Sequence, residues 1–96
     1  MSARLQTVIL SNEEGNMTLE LFKKETCPFC QRVMRFIASS GRTDIIYRDI
    51  IESEEAAEQL VSVGGKRQVP CLFIDGEPLY ESQDIIDWIE AHPQTA

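Results

Sequence analysis

Two cysteines, Cys27 and Cys30, are separated by Pro28 and Phe29 and form a C-x-x-C segment. Thiols at this spacing can close a disulfide with each other or supply two ligands to a metal ion. A thiolate is the nucleophile in disulfide exchange, and a helix N-terminus favours the thiolate over the thiol. The segment therefore predicts redox chemistry, in which Cys27 attacks a disulfide and the less exposed Cys30 resolves the mixed disulfide.

The spacing of these cysteines also fits two other kinds of site. A zinc site needs two further ligands, and only Cys71 and His92 remain, at unsuitable spacing. A pair of buried structural thiols is the second alternative. Pro28 argues against it, because proline after a strand is typical of the first turn of a helix and not of a buried core segment. No metal is expected here.

Alternation of polar and apolar residues predicts the strands that position the cysteines. Asp75-Gly76 is a hairpin signal between the last two strands. The predicted strands cover residues 18–23, 45–50, 71–74 and 78–80.

Apolar residues at helical spacing predict three helices between and after these strands. The first has Cys27 as its N-cap, Pro28 in its first turn and Gly41 at its end. The second follows Ser53 and the third follows Ser82, each a good N-cap residue. The order β-α-β-α-β-β-α predicts an α/β fold with a four-stranded mixed sheet and three main helices.

The chain has 96 residues and a formal net charge of -7, with a pI of about 4.6. This length fits one domain over residues 17–96, preceded by an N-terminal extension over residues 1–16. No basic patch for a nucleic acid and no apolar run long enough for a membrane is visible. With no signal peptide apparent and three cysteines, a cytoplasmic location with reduced thiols is expected.

Three segments occur in an order that resembles the glutaredoxins. The match extends over roughly residues 17 to 92, and it implies a thioredoxin-like fold, a monomer and a cis bond before Pro70. The segments are Lys24-Glu25-Thr26-Cys27-Pro28-Phe29-Cys30, Gln68-Val69-Pro70, and Phe73-Ile74-Asp75-Gly76 followed by Leu79.

The resemblance also implies a groove for glutathione as co-substrate. Val69 would pair its backbone N–H and C=O with the cysteinyl part of glutathione. Lys24 would attract the glycine carboxylate, with Arg67 or Gln68 as helpers. The groove residues carried over from the family are Lys24, Phe29, Arg67, Gln68, Val69 and Pro70.

Two positions depart from the glutaredoxin pattern. Gln68 replaces the usual threonine, and Glu81-Ser82 lies where a Gly-Gly stretch is usual. The Glu-Ser pair is similar to the N-terminal domain of glutathione transferases, where it binds the γ-glutamyl end. Ser82 at a helix N-terminus suits a carboxylate, and Glu81 suits the amine. The alternative is that Ser82 only caps the helix. A complete transferase is not expected, because its second, helical domain has no counterpart.

The function that follows is a glutathione-dependent thiol–disulfide oxidoreductase. It would reduce mixed disulfides between glutathione and proteins, and also protein disulfides, which makes glutathione and such proteins its expected partners. One alternative is a redoxin supplied with electrons by a flavoprotein reductase. The other is an iron–sulfur glutaredoxin, against which Pro28 argues because cluster-binding members generally lack proline after the first cysteine.

Overall fold

The computed structural model describes residues 17–94, and the predicted N-terminal extension lies outside them. No helix within this part of the chain combines the length and apolarity that crossing a membrane requires. The seven elements are β1 (Leu19–Lys23), α1 (Pro28–Ser40), β2 (Ile45–Asp49), α2 (Glu54–Gly64), β3 (Cys71–Ile74), β4 (Glu77–Tyr80) and α3 (Ser82–Ala91).

The four strands form one mixed sheet in the order β2-β1-β3-β4. β1 pairs in parallel with β2 and antiparallel with β3, and β4 completes an antiparallel hairpin with β3. Asp75 and Gly76 both have positive φ, as a tight hairpin turn requires. The predicted element order and mixed sheet are confirmed, with strand ends that differ by one residue at most.

The sheet separates two apolar clusters, because alternate residues of each strand point to opposite faces. On one face, Leu21 and Leu72 pack against α1 and α3. On the other face, Phe22 and Phe73 pack against α2, with their ring centroids 4.4 Å apart. Trp88 of α3 is partly buried against the first cluster and stacks on His92.

Helix boundaries follow the predicted caps in two cases and differ in the third. The hydroxyl of Ser53 accepts the Ala56 N–H at 3.1 Å, and Gly41 ends α1 in the left-handed conformation. The prediction that Ser82 is the N-cap of α3 is wrong. Glu81 is the N-cap, with φ 76°, and its side chain makes no capping bond, so Ser82 is the first helical residue. Glu81 is the single residue between β4 and α3, and its positive φ accompanies the absence of a side-chain cap.

Arg42 joins the end of α1 to the end of α3. Its guanidinium forms two bonds of 2.8 Å with the Asp44 carboxylate. It also donates to the carbonyl oxygens of Ile89 at 3.1 Å and His92 at 2.8 Å. These carbonyls lie at the C-terminus of α3, where backbone acceptors lack partners within the helix. The Arg42 side chain is only 6% exposed, so its loss removes the partner of the partly buried Asp44 carboxylate and of the Ile89 carbonyl.

We expect Arg42→Ala to lower the free energy of unfolding by about 1–2 kcal/mol, because it removes a largely buried guanidinium and leaves the Asp44 carboxylate and two carbonyl groups without their donor. Urea unfolding followed by circular dichroism measures this change. Arg35→Ala is the matched control, since Arg35 is exposed on α1 and should shift stability by less than about 0.5 kcal/mol. Equal stability of the two variants would contradict a role for Arg42 in holding α3.

Candidate active site

Cys27 lies at the N-terminus of α1, one short turn after β1. It is the N-cap residue, as predicted, with Pro28 in the first turn of the helix. The Cys30 backbone N–H donates to Cys27 Sγ at 3.3 Å. Backbone N–H groups without partners in the helix and the positive end of the helix dipole lie at this terminus. The local sequence therefore places the Cys27 sulfur at the positive end of α1.

Cys30 lies within the first turn of α1 and faces the protein interior. Its side chain is fully buried, whereas Cys27 retains 8% of its exposure. Burial is the main cause that raises the pKa of Cys30 to about 12, and a hydrogen bond with the Lys24 backbone opposes it only in part. The Cys30 thiol is therefore protonated at neutral pH. This suits the resolving thiol, which reacts only after Cys27 has formed the mixed disulfide.

Val69 and Pro70 approach Cys27 from the start of β3. The peptide bond between them is cis, in agreement with the resemblance. The Cys27 thiol points to the Val69 carbonyl oxygen, with the sulfur 3.9 Å from that oxygen. Because Phe22 of β1 lies opposite Cys71 of β3, the chain that enters β3 is held beside the chain that leaves β1.

A pocket of about 260 Å³ lies next to Val69 and Pro70. Phe29 is 63% exposed and forms part of its wall, so this aromatic ring does not cover the core. The pocket is lined by six of the residues that the sequence predicted to bind glutathione. They are Phe29, Gln68, Val69, Pro70, Glu81 and Ser82.

The other two predicted binding residues, Lys24 and Arg67, do not line this pocket. Lys24 borders a separate depression that Thr26 also lines. Arg67 borders a groove along α2. Their predicted contacts with glutathione stay predictions, because the structure places them beside separate surfaces.

Glu81 and Ser82 form the end of the pocket at the N-terminus of α3. The positive φ of Glu81 is unfavourable for any residue other than glycine, at a cost on the order of 1–3 kcal/mol. Arg32 of α1 donates to Ser82 Oγ at 3.3 Å and to the side-chain oxygen of Gln83. Sequence reasoning missed Arg32, because no local pattern indicates which side of α1 faces α3.

Cys71 is the third thiol, and it is fully buried behind the pocket. It lies on the α2 face of the sheet, among Phe22 and Phe73. Burial raises its pKa to about 11, against a weaker opposing effect of the Tyr80 hydroxyl. His92 is exposed and contacts Trp88 through its ring and Nδ1. Within residues 17–94, no three His, Cys, Asp or Glu side chains are grouped to hold a metal ion.

Comparison with known proteins places this geometry in a family. The sequence profile of the glutaredoxin family matches residues 19–79. Glutaredoxin 3 of Escherichia coli is 29% identical over 69 residues, which span 70% of this chain and 80% of that protein.

Two solved structures share the fold. The buckwheat glutaredoxin–glutathione complex superposes with a TM-score of 0.62 at 16% identity, over 93% of this chain and 87% of that one. A glutathione transferase Omega 3C from Trametes versicolor superposes with a TM-score of 0.66 at 19% identity, over 98% of this chain and 43% of that one. These likenesses establish a thioredoxin-like fold.

The matched residues include the C-x-x-C segment, the loop before Pro70 and most of β4. They contain the two cysteines whose arrangement favours disulfide exchange. The chain therefore belongs to the glutaredoxin family and is a glutaredoxin-type thiol–disulfide oxidoreductase.

Proposed function

We propose that the protein uses glutathione to reduce mixed disulfides between glutathione and proteins, and also protein disulfides. The observation that carries this proposal is the pocket of about 260 Å³ beside Cys27, lined by six residues that the glutathione hypothesis had named. The structural neighbour in complex with glutathione supports the same ligand class.

The first step transfers glutathione from the protein substrate to Cys27. The Cys27 thiolate attacks the sulfur of the glutathione half, and the disulfide bond to the substrate breaks. The substrate sulfur departs with the electron pair and takes up a proton, so the substrate thiol is reduced. Cys27 then carries glutathione through a new disulfide bond.

The second step restores the enzyme. A second glutathione thiolate attacks the sulfur of the bound glutathione, which releases oxidised glutathione and regenerates the Cys27 thiolate. For a disulfide within a protein, the mixed disulfide on Cys27 is instead attacked by Cys30. That route forms a Cys27–Cys30 disulfide, which two molecules of glutathione reduce.

The pocket contains hydrogen-bonding groups suited to the cysteinyl unit and to the γ-glutamyl carboxylate and amine of glutathione. The Val69 backbone would pair with the cysteinyl unit, as an added strand pairs with a sheet edge. The N–H groups at the start of α3 and the Ser82 hydroxyl suit the γ-glutamyl carboxylate. The Glu81 carboxylate suits the γ-glutamyl amine. The presence of glutamate at a position with φ 76° supports this role, because glycine would fit the backbone better.

Cys27→Ser should abolish removal of glutathione from a glutathionylated peptide, because it removes the nucleophile. Cys30→Ser should retain a large part of this activity, because glutathione replaces Cys30 in the second step. An assay coupled to glutathione reductase measures both rates. Equal activity of the wild type and Cys27→Ser would overturn the assignment. Activity that needs a flavoprotein reductase but no glutathione would favour the redoxin alternative.

The Cys30 thiol should not ionise in the folded protein below about pH 10, because its burial disfavours the charged form. Thiolate absorbance at 240 nm can be followed with pH in the double variant Cys27→Ser, Cys71→Ser, which keeps only this thiol. The same variant in concentrated urea is the control, with an ordinary midpoint near about pH 8.5. A variant without cysteine corrects for tyrosine. Identical midpoints in the two conditions would exclude a buried Cys30.

Glu81→Gly should stabilise the fold and weaken substrate binding at the same time. Glycine relieves the positive φ, which should raise the free energy of unfolding by about 1 kcal/mol. Loss of the carboxylate should raise KM for a glutathione mixed disulfide about threefold to fivefold. Glu81→Gln is the matched control, because it keeps the strained backbone and should change KM alone. Lower stability of Glu81→Gly would count against strain at this position.

A further inference from the structure

Arg32 of α1 lies beside the end of the pocket that Glu81 and Ser82 form. Its guanidinium donates to Ser82 Oγ at 3.3 Å and to the side-chain oxygen of Gln83. Ser82 lines the pocket and is the first residue of α3. The contact with Ser82 therefore brings a cationic group to the pocket at the N-terminus of α3. Arg32 has no part in the steps described above.

The positive charge of Arg32 has no carboxylate partner among residues 17–94. Lys23, Arg42 and Arg48 each form an ion pair with an aspartate or glutamate, whereas Arg32 forms none. Its two contacts are with neutral oxygens, one for each terminal nitrogen. A guanidinium carries five N–H donors, so donors remain for a further acceptor. Arg32 can thus offer both charge and hydrogen bonds to an anionic group at this end of the pocket.

A second contact holds the Arg32 side chain toward α3. The Gln83 amide nitrogen donates to Asp87 Oδ1 at 2.9 Å, one turn further along the helix. Because a carboxylate only accepts hydrogen bonds, this contact turns the Gln83 amide oxygen toward Arg32. The guanidinium is therefore held at both terminal nitrogens before any ligand arrives, which lowers the entropy that it loses on binding.

The same guanidinium orients the Ser82 hydroxyl. A hydroxyl has one O–H donor and two acceptor lone pairs, and Arg32 donates to one of these lone pairs. The hydrogen of the Ser82 hydroxyl therefore points away from Arg32 and can be donated to a carboxylate in the pocket. Hydrogen bonds between ionised groups are roughly twice as strong as those between neutral groups, so the guanidinium adds most to the binding of a charged acceptor.

We propose that Arg32 is a specificity-determining residue that selects a carboxylate at the γ-glutamyl end of the substrate. Its guanidinium attracts the α-carboxylate of the γ-glutamyl unit and donates to it where this carboxylate contacts Ser82. The favoured substrates are disulfides of thiols that carry this carboxylate, and thiols without it react more slowly. This inference rests on the proposed function, because it specifies which part of glutathione the same pocket recognises.

The test measures the first step with mixed disulfides of thionitrobenzoate. The Cys27 thiolate attacks the sulfur of the other thiol, and coloured thionitrobenzoate departs with the electron pair, which stopped-flow absorbance follows. The thiols are glutathione, 4-aminobutyryl-cysteinylglycine, glutaryl-cysteinylglycine and 2-mercaptoethanol. The 4-aminobutyryl peptide lacks only the α-carboxylate of glutathione, and the glutaryl peptide lacks only the α-amine. Each rate constant is divided by that of free cysteine with the same disulfide.

All proteins carry Cys30→Ser, so that the reaction stops at the mixed disulfide on Cys27. Arg32→Gln removes the charge at the pocket, and Arg32→Lys keeps it. Arg35→Gln is the matched control, because it removes an equal charge from an exposed position of α1 outside the pocket.

We expect Arg32→Gln to lower the second-order rate constant about fivefold with the glutathione and glutaryl disulfides. With the 4-aminobutyryl disulfide the change should stay below about twofold, because the carboxylate that Arg32 recognises is missing. Arg32→Lys should lose only about twofold with the glutathione disulfide, since an ammonium keeps the charge without the planar donors. Arg35→Gln should change no rate constant by more than about twofold.

An equal loss of rate with the three peptide disulfides in Arg32→Gln would reveal a merely structural role and overturn the inference. Equal effects of Arg32→Gln and Arg35→Gln on the glutathione disulfide would also overturn it. Neither result contradicts the proposed function, provided that the protein with Arg32 in place reacts faster with the glutathione disulfide than with that of 2-mercaptoethanol. Equal rates with these two disulfides would instead contradict recognition of glutathione, and with it the proposed function.

Discussion

The antiparallel register between β1 and β3 fixes the position of the reactive sulfur relative to the rest of the site. Leu21 lies opposite Leu72, and both side chains are fully buried. A shift by one residue would turn them to the other face of the sheet, so the register is strongly specified. The contact between Cys27 and the Val69 carbonyl, 3.9 Å from the sulfur, therefore depends on a pairing made in the core.

Local signals predicted most of the fold, because each acts over a few residues. The N-caps Cys27 and Ser53, the left-handed Gly41 and the turn at Gly76 each satisfy backbone groups within one turn of chain. Together with the alternating strands they determine the element order. The pairing of the strands then follows from common rules of connection. The cis bond before Pro70 was predicted from the family resemblance alone.

The remaining features depend on residues far apart in the sequence. Arg32 contacts Ser82, and Arg42 contacts the end of α3, across about 50 positions in each case. No periodicity indicates such partners. Glu81 shows a different difficulty, because a tight passage between β4 and α3 imposes a positive φ on a residue that does not favour it. Lys24 follows the family motif, yet it borders a separate depression and does not line the pocket beside Val69.

The burial of Cys30 has a consequence for how fast an internal disulfide reopens. A reductant that attacks the Cys27 sulfur of such a bond must expel the Cys30 sulfur as the leaving group. Exchange slows as the pKa of the departing thiol rises, and burial raises that of Cys30 to about 12. Under the proposed function, glutathione would resolve a glutathione adduct on Cys27 without displacing Cys30. The burial that keeps Cys30 protonated would therefore favour the route that uses Cys27 alone.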